Sequence, residues 1–260
     1  MRRKYGLPEL LSPAGDMSAL TAAISAGADA IYVGGRRFGA RAYAKNFDID
    51  ELSAAVRLCH AAGVRLYVTV NTLIHEREMD EALEYAARLH AMGVDAIIAC
   101  DMGFIRRVRC QLPDLELHAS TQMGIHNSAG ADFAHSLGMC RVVLARECSA
   151  RDIEEMVEKC KPEVEVFVHG ALCVCHSGQC LFSSMVGGRS GNRGECAQPC
   201  RLPFGGNKYP LSLTDLSLAR HIPALISSGV ASLKIEGRMK SAEYVYTVTG
   251  IFRRLLDEGR

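Results

Sequence analysis

Residues 26–34 read A-G-A-D-A-I-Y-V-G, and the phrase returns in variant form as A-G-V-R-L at 62–66, M-G-V-D-A-I at 92–97 and S-G-V-A-S-L at 228–233. In each, the glycine suits the left-handed turn that ends a helix, and the apolar residues after it open a strand. Strand-like runs rich in β-branched residues occur at 9–12, 30–34, 65–71, 96–100, 116–120, 141–145, 164–169 and 232–236. Between them lie stretches with helical apolar spacing, such as 48–62, 78–92 and 149–159. Several open with an N-cap residue: Asp16, Asp48, Asn127 or Ser149. Eight strand–helix units of even length predict an α/β fold, a (β/α)8 TIM-like barrel. A doubly wound sheet is the alternative, but it would not need eight such units.

The 260 residues, 48% hydrophobic and 23% charged, suffice for one large core. Residues 1–260 are therefore read as a single barrel domain, with a missing C-terminal domain left open. The net charge of +1 by itself points to neither nucleic acid nor membrane, and no apolar run nears the ~20 residues of a membrane span. The start, M-R-R-K-Y-G-L-P-E-L-L-S-P-A-G, lacks a signal peptide's apolar core because Pro8, Glu9 and Pro13 interrupt it. A cytoplasmic, reducing location is expected, where eleven cysteines argue for thiols and metal ligation rather than disulfides.

One segment breaks the alternation. Residues 170 to about 211, between the seventh strand and a helix predicted at 215–227, are long for a βα connection and lie at the carboxyl end, where barrels build active sites. They carry Cys173-x6-Cys180-x15-Cys196-x3-Cys200 in a Gly-, Ser- and Arg-rich stretch, with Cys175 a fifth thiol. The paired C-x2-C knuckles of a zinc ribbon are absent, and a [4Fe–4S] cluster tolerates irregular spacing, so a cluster fits better than zinc. On spacing alone either Cys173 or Cys175 serves as a ligand. Cys59, Cys100, Cys110, Cys140, Cys148 and Cys160 are scattered through the repeats and read as small buried hydrophobes.

Several motifs resemble one family. They are F-V-H-G-A-L-C at 167–173, S-G-Q-C at 177–180, G-R-S-G-N-R-G-E-C-A-Q-P-C-R at 188–201 and K-I-E-G-R-M-K-S at 234–241. With L-L-S-P-A-G-D at 10–16, and H-A-S-T-Q-M at 118–123 followed by H-N, they are similar to the collagenase-like peptidase family thirty-two, of unknown catalytic type. Despite that label, well-understood branches of the family are oxygen-independent hydroxylation proteins acting on transfer RNA uridine, ribosomal RNA cytidine or ubiquinone precursors. The resemblance implies a [4Fe–4S] cluster and prephenate as oxygen source. It carries over Cys173, Cys180, Cys196 and Cys200 as ligands; branches differ in their fourth cysteine, which leaves Cys200 open. The motifs at 118–127 and 187–203 are closer to the ribosomal RNA cytidine branch than to the quinone branch.

Strand ends supply the polar candidates. Period-two alternation in L-K-I-E-G-R puts Lys234 and Glu236 on one face, expected to be the barrel interior, with Arg238 at the mouth. Burying such charges is costly unless they pair or bind something, so a structural network and a substrate role both stay open. The same logic puts His118 and Ser120 on one face and Asn71, Arg146, Glu147 and His169 at strand ends. His169, leading into the cysteine loop, joins Lys234 and Glu236 as a catalytic candidate. Gln122 and His126 are also explained by a helix N-cap network.

Arg36, Arg37, Arg41 and Lys45 follow the second strand with no acid among residues 34–46, and Arg189, Asn192, Arg193 and Arg201 accompany the cysteines. Both groups are expected on one rim, able to hold a phosphate backbone or a dicarboxylate such as prephenate. Phe38 and Tyr43 are the only aromatics in the first group, weak support for base stacking.

With the resemblance, these residues predict iron–sulfur-dependent hydroxylation of an RNA pyrimidine. RNA is the expected partner, membrane and DNA are not, and the electron donor is unspecified. A peptidase is the alternative. Neither H-E-x-x-H nor G-x-S-x-G occurs, but Cys173 or Cys175 near His169 or His176 would serve as nucleophile and base. Hydroxylation of a ubiquinone precursor and a purely structural cluster in an RNA-binding module are the other readings.

Overall fold

The computed structural model describes residues 6–42, 44–206 and 208–259; Tyr43, one of the two aromatics in the first basic group, lies outside them. Eight parallel strands close on themselves: β1 (Glu9–Pro13), β2 (Ala30–Gly34), β3 (Arg65–Val70), β4 (Ala96–Ala99), β5 (Glu116–Ala119), β6 (Arg141–Val143), β7 (Glu163–Gly170) and, after a two-residue strand β8 (Leu216–Ser217), β9 (Ser232–Ile235). Strand β6 pairs with β7, β7 with β9 and β9 with β1, which closes the barrel and excludes the doubly wound sheet. Helices α1 (Met17–Ser25), α2 (Ile49–Ala61), α3 (Met79–Ala91), α4 (Met102–Gln111), α5 (Ser128–Ser136) and α6 (Ala150–Lys159) follow their strands. A short α7 (Phe182–Gly187) lies in the cysteine loop, and α8 (Ile222–Ser228) and α9 (Ala242–Glu258) complete the ring.

Local chemistry accounts for the boundaries. Asp16, Asp48, Asn127 and Ser149 each cap a helix by accepting a backbone N–H with the side chain. The glycines of the repeated phrase, Gly27, Gly63, Gly93 and Gly229, all have φ between 70° and 85°, the left-handed turn expected of them. The helix predicted at 215–227 starts late. Residues 216–217 instead pair antiparallel with His169 and Gly170, and a 3-10 turn (Ala219–His221) precedes α8, whose Pro223 suits a first helical turn.

Two cores result. Outward-facing Leu10, Ile31, Val68, Ile97, Leu117, Val142, Val166 and Leu233 pack under the helices. Inside the barrel, Leu11, Ala30, Tyr32, Tyr67, Ala96 and Ile98 form a smaller apolar cluster contributed by β1 to β4. The interior is charged at the amino end of the barrel and along β6, β7 and β9. Arg141 contacts Glu9 at 2.6 Å, Glu163 at 2.8 Å and Glu165 at 3.3 Å, Lys234 Nζ donates to Glu165 at 2.9 Å, and Arg65 also reaches Glu9. Buried charges persist only when compensated in this way. Lys234 and Arg141 hold the Glu165 carboxyl down to about 2 against burial, which pushes it up.

Candidate functional site

The mouth of the barrel is built where β9 runs out. Period two carries Lys234, Glu236 and Arg238 inward as expected, but on successive levels. Lys234 lies deep, with its ammonium 4.4 Å from the Tyr32 ring and paired to Glu165 rather than to Glu236. Glu236, one level higher, shares its carboxylate between Arg146 at 3.2 Å and Arg41 at 3.6 Å. Burial pushes its pKa up, but Arg41, Arg146 and Arg238 more than offset this and hold it below the usual carboxylate range. Arg238 is 5% exposed and donates to Thr69 Oγ1 at 3.0 Å; among the described residues no carboxylate lies within ion-pair distance of it. Burial and then the like charge of Arg41 pull its guanidinium down to about 10, still cationic at neutral pH. A Cβ at Gly34 would collide with this guanidinium, so the glycine ending β2 makes room for it.

Asn71 and Ser120 complete the floor on the other side. Asn71 Nδ2 donates to Ser120 Oγ at 3.2 Å, and its Oδ1 accepts the Ala40 N–H at 3.0 Å, tying the loop that carries Arg41 to β3. Ser120 Oγ also accepts the Gln122 N–H, which places Gln122 in a 3-10 turn at the rim (Thr121–Met123). Arg146 lies over the Phe167 ring at 4.4 Å and donates to Cys173 Sγ at 3.6 Å. One guanidinium thus links Glu236 to the first loop cysteine.

The cysteine loop is fastened over this mouth. Arg193 pairs with Glu78 at 2.6 Å, Arg201 donates to the Leu172 carbonyl at 2.8 Å and to Ser212 Oγ at 2.8 Å, and Arg189 donates to the Glu195 carbonyl at 3.0 Å. Ser177 binds the Glu147 carboxylate through both its N–H and its hydroxyl. Gly178, at φ 75°, sits so close to the Gln122 carbonyl that a Cβ there would collide with it. These contacts make Arg189, Arg193 and Arg201 braces of the loop, while Asn192 is half-buried in the turn Gly191–Arg193.

Three of the loop thiols, Cys173, Cys196 and Cys200, lie near enough to influence one another's charge. Cys200 is half-buried; burial raises its thiol, Arg201 opposes this, and nearby Cys196 and Cys173 raise it further. Cys196 and Cys173 also lie near enough to favour the charged form of Arg41. Gly191 faces both the Cys196 Cβ and the Cys180 carbonyl. Four thiols on one loop, with Arg41, Arg146 and Arg201 beside them to balance thiolate charge, fit an iron–sulfur cluster by donor chemistry.

Three candidates fall elsewhere. His169 does not face the mouth: the β7–β9 register slips between Phe167 and His169, so Phe167 points inward and the His169 ring turns out against Phe252 and Tyr244 of α9. A bulge re-aims a side chain in this way, which simple alternation misses. His118 is inside the barrel as expected but buried edge-on to Tyr67, below the mouth. Of the first basic group only Arg41 turns in; Arg36, Arg37 and Lys45 pair outward with Asp48, Glu81 and Asp16. The structure adds Tyr32, Thr69, Glu165 and Phe167 to the residues in or under the mouth. Period two along β2, β3 and β7 places them inside, but only closure shows what they meet. Among the described residues neither Cys173 nor Cys175 hydrogen-bonds an imidazole, and His176 pairs instead with Glu147 at 3.3 Å.

The family model for Peptidase family U32 matches residues 15–260. The chain belongs to the U32 peptidase family. It is 40% identical over 266 residues to the "tRNA hydroxylation protein P1" of Bacillus subtilis (strain 168), covering 96% of this chain and 63% of that protein. It is 41% identical over 259 residues to the "23S rRNA 5-hydroxycytidine C2501 synthase" of Escherichia coli (strain K12), covering 96% of this chain and 39% of that protein. It is also 34% identical over 273 residues to the "Collagenase" of Porphyromonas gingivalis (strain ATCC BAA-308 / W83), covering 96% and 65%. The U32 chain thus spans between about two fifths and two thirds of these relatives. The solved structure of the U32 peptidase Mk0906 superposes with a TM-score of 0.62 at 13% identity, covering 91% of this chain and 96% of that one, a likeness of fold.

Proposed function

We propose that this chain is the barrel of an iron–sulfur-dependent, oxygen-independent enzyme that hydroxylates an RNA pyrimidine, a ribosomal RNA cytidine or a transfer RNA uridine, with prephenate as oxygen source. The observation that carries the reading is the charge of the mouth. Three guanidiniums, Arg41, Arg146 and Arg238, surround the single carboxylate of Glu236, directly beneath the Cys173 thiol. Positive charge gathered at a mouth favours an anion there, and planar guanidiniums match carboxylates two bonds at a time. The names of the two RNA-modifying relatives support the RNA substrate.

In this reading Arg238 and Arg146 bind the carboxylates of prephenate, and Arg41 closes over them on its loop. Glu236 orients those arginines and holds a proton at its carboxylate when the anion displaces a guanidinium. Lys234, paired beneath, keeps the floor charged and dry. Cys173, Cys180, Cys196 and Cys200 hold the [4Fe–4S] cluster, which supplies electron transfer when bound. Base chemistry needs an unpaired or extruded nucleotide. Beside the cysteine loop a cavity of about 340 Å³, lined by His126, Glu147, Cys148, Asp152, His176 and Ser177, is large enough for one base.

The test joins chemistry to cells. Protein purified without oxygen is expected to be brown, with roughly four irons and four sulfides per chain. Nucleosides from a strain lacking the protein are expected to lose one hydroxylated pyrimidine, restored by the wild type and not by Arg238→Met. Colourless, iron-free protein, or an unchanged nucleoside profile, overturns the reading. Peptide cleavage by iron-free protein would put the peptidase in its place.

A further inference from the structure

The amino end of the barrel, opposite the cysteine loop, carries a second group of ligand-type side chains. Glu116 opens β5, His118 lies two residues on with its side chain on the same face, and Cys140 directly precedes β6. One ligand atom from each of the three lies within 4.8 Å of the other two. We propose that Glu116, His118 and Cys140 bind a divalent transition metal of the zinc class, with the fourth position open to solvent.

The separations suit ligands of one ion. His118 Nε2 stands 3.7 Å from Glu116 Oε2, beyond a normal hydrogen bond. That separation matches the edge of a tetrahedron, roughly 3.3–3.7 Å, for ligands about 2.0–2.3 Å from one ion. The His118 ring is 1% exposed, held edge-on by Tyr67 at 4.8 Å, and its Nδ1 has no partner among the described residues. The nitrogen turned toward Glu116 is Nε2, the one available to an ion held by these three side chains. Burial also favours the neutral ring, which has a lone pair to donate.

Charge points the same way. Among the described residues, four carboxylates gather in the lower barrel, Glu9, Glu116, Glu163 and Glu165, against three cations, Arg65, Arg141 and Lys234. Glu9, Glu163 and Glu165 occupy those cations; Glu116 has none within ion-pair distance among the described residues. Cys140 is held beside β5 by its N–H and its thiol, both donating to the Leu117 carbonyl at 3.0 and 3.5 Å. Burial pushes that thiol up to about 11, so the metal must displace its proton: thiol plus M2+ gives the M2+–thiolate and one H+. Imidazole, thiolate and carboxylate together suit zinc over calcium or magnesium. The site would clamp β5 to β6 and is separate from the loop thiols.

Cobalt(II) is the probe. Titrated into anaerobically purified, cluster-loaded protein, it is expected to bind once per chain in difference spectra, with tetrahedral ligand-field bands and a thiolate charge-transfer band, and to be displaced by zinc. Cys140→Ser is expected to remove the charge-transfer band while leaving iron content unchanged, and Glu116→Gln to weaken cobalt binding by ~10-fold or more. Both residues lie at the surface, although the Cys140 thiol itself turns in toward β5, and the changes are conservative. Cys196→Ser separates this site from the loop, because the Cys140-dependent band should survive it. A band that persists in Cys140→Ser, equal cobalt affinity in wild type and Glu116→Gln, or no stoichiometric binding overturns the proposal.

Discussion

Replacing Glu236 by Gln puts the charge of the mouth to a quantitative test. The carboxylate lies 3.2 Å from Arg146 and 3.6 Å from Arg41, and its side chain is 16% exposed. At an effective dielectric constant of about 20, each contact amounts to roughly 5 kcal/mol of gross attraction. Most of that offsets the cost of desolvation, and removing one partner of such a buried group typically costs about 3–5 kcal/mol. Glu236→Gln leaves Arg41, Arg146 and Arg238 facing one another, so it is expected to lose stability in that range in urea unfolding. An anion that enters the vacated centre should restore part of the loss. Sulfate at 100 times its dissociation constant would return about 2.7 kcal/mol. Sulfate also stabilises proteins generally, so the quantity to read is its excess effect on the variant over the wild type. A loss below ~1 kcal/mol, or equal sulfate stabilisation of both proteins, would refute the argument that the mouth is an anion site held in check by Glu236.

Two further outcomes follow from the charged wall and the loop. The folded Glu165 carboxyl is depressed to about 2 from an ordinary 4.5, so its stabilising contribution is present above pH 4.5 and is lost as pH falls from about 4.5 to 2. Glu165→Gln should flatten that part of the stability–pH curve, while the Lys234→Met/Glu165→Leu pair recovers much of the stability lost in the single variant; an unchanged acid limb in Glu165→Gln would argue against the pairing. Cys196→Ala should lower both cluster content and soluble yield, because ligation in such loops supplies folding free energy. Normal yield with full iron would remove Cys196 from the ligand set.

Much of the architecture is legible along the chain because its determinants are local. A glycine that needs positive φ, an Asp or Ser that caps a helix and a period-two run each act within a few residues, so the eight strands and the N-caps at Asp16, Asp48, Asn127 and Ser149 can be read in order. Period two likewise places Lys234, Glu236 and Arg238 inside the barrel, and the four loop cysteines announce themselves by their number in a polar segment. What the chain does not show is which charges meet once the barrel closes. Glu165 takes Lys234, Arg41 and Arg146 divide Glu236, and Arg238 is left with Thr69, through separations of up to 195 residues, from Arg41 to Glu236. A bulge at the end of β7 turns His169 away from the mouth, and the register of β5 with β6 brings Cys140 to Glu116 and His118. Pairings of this kind depend on ring closure and strand register, which are cooperative properties of the whole sheet. Local sequence therefore determines the elements and the inward faces, and tertiary structure alone decides the partners on which the chemistry depends.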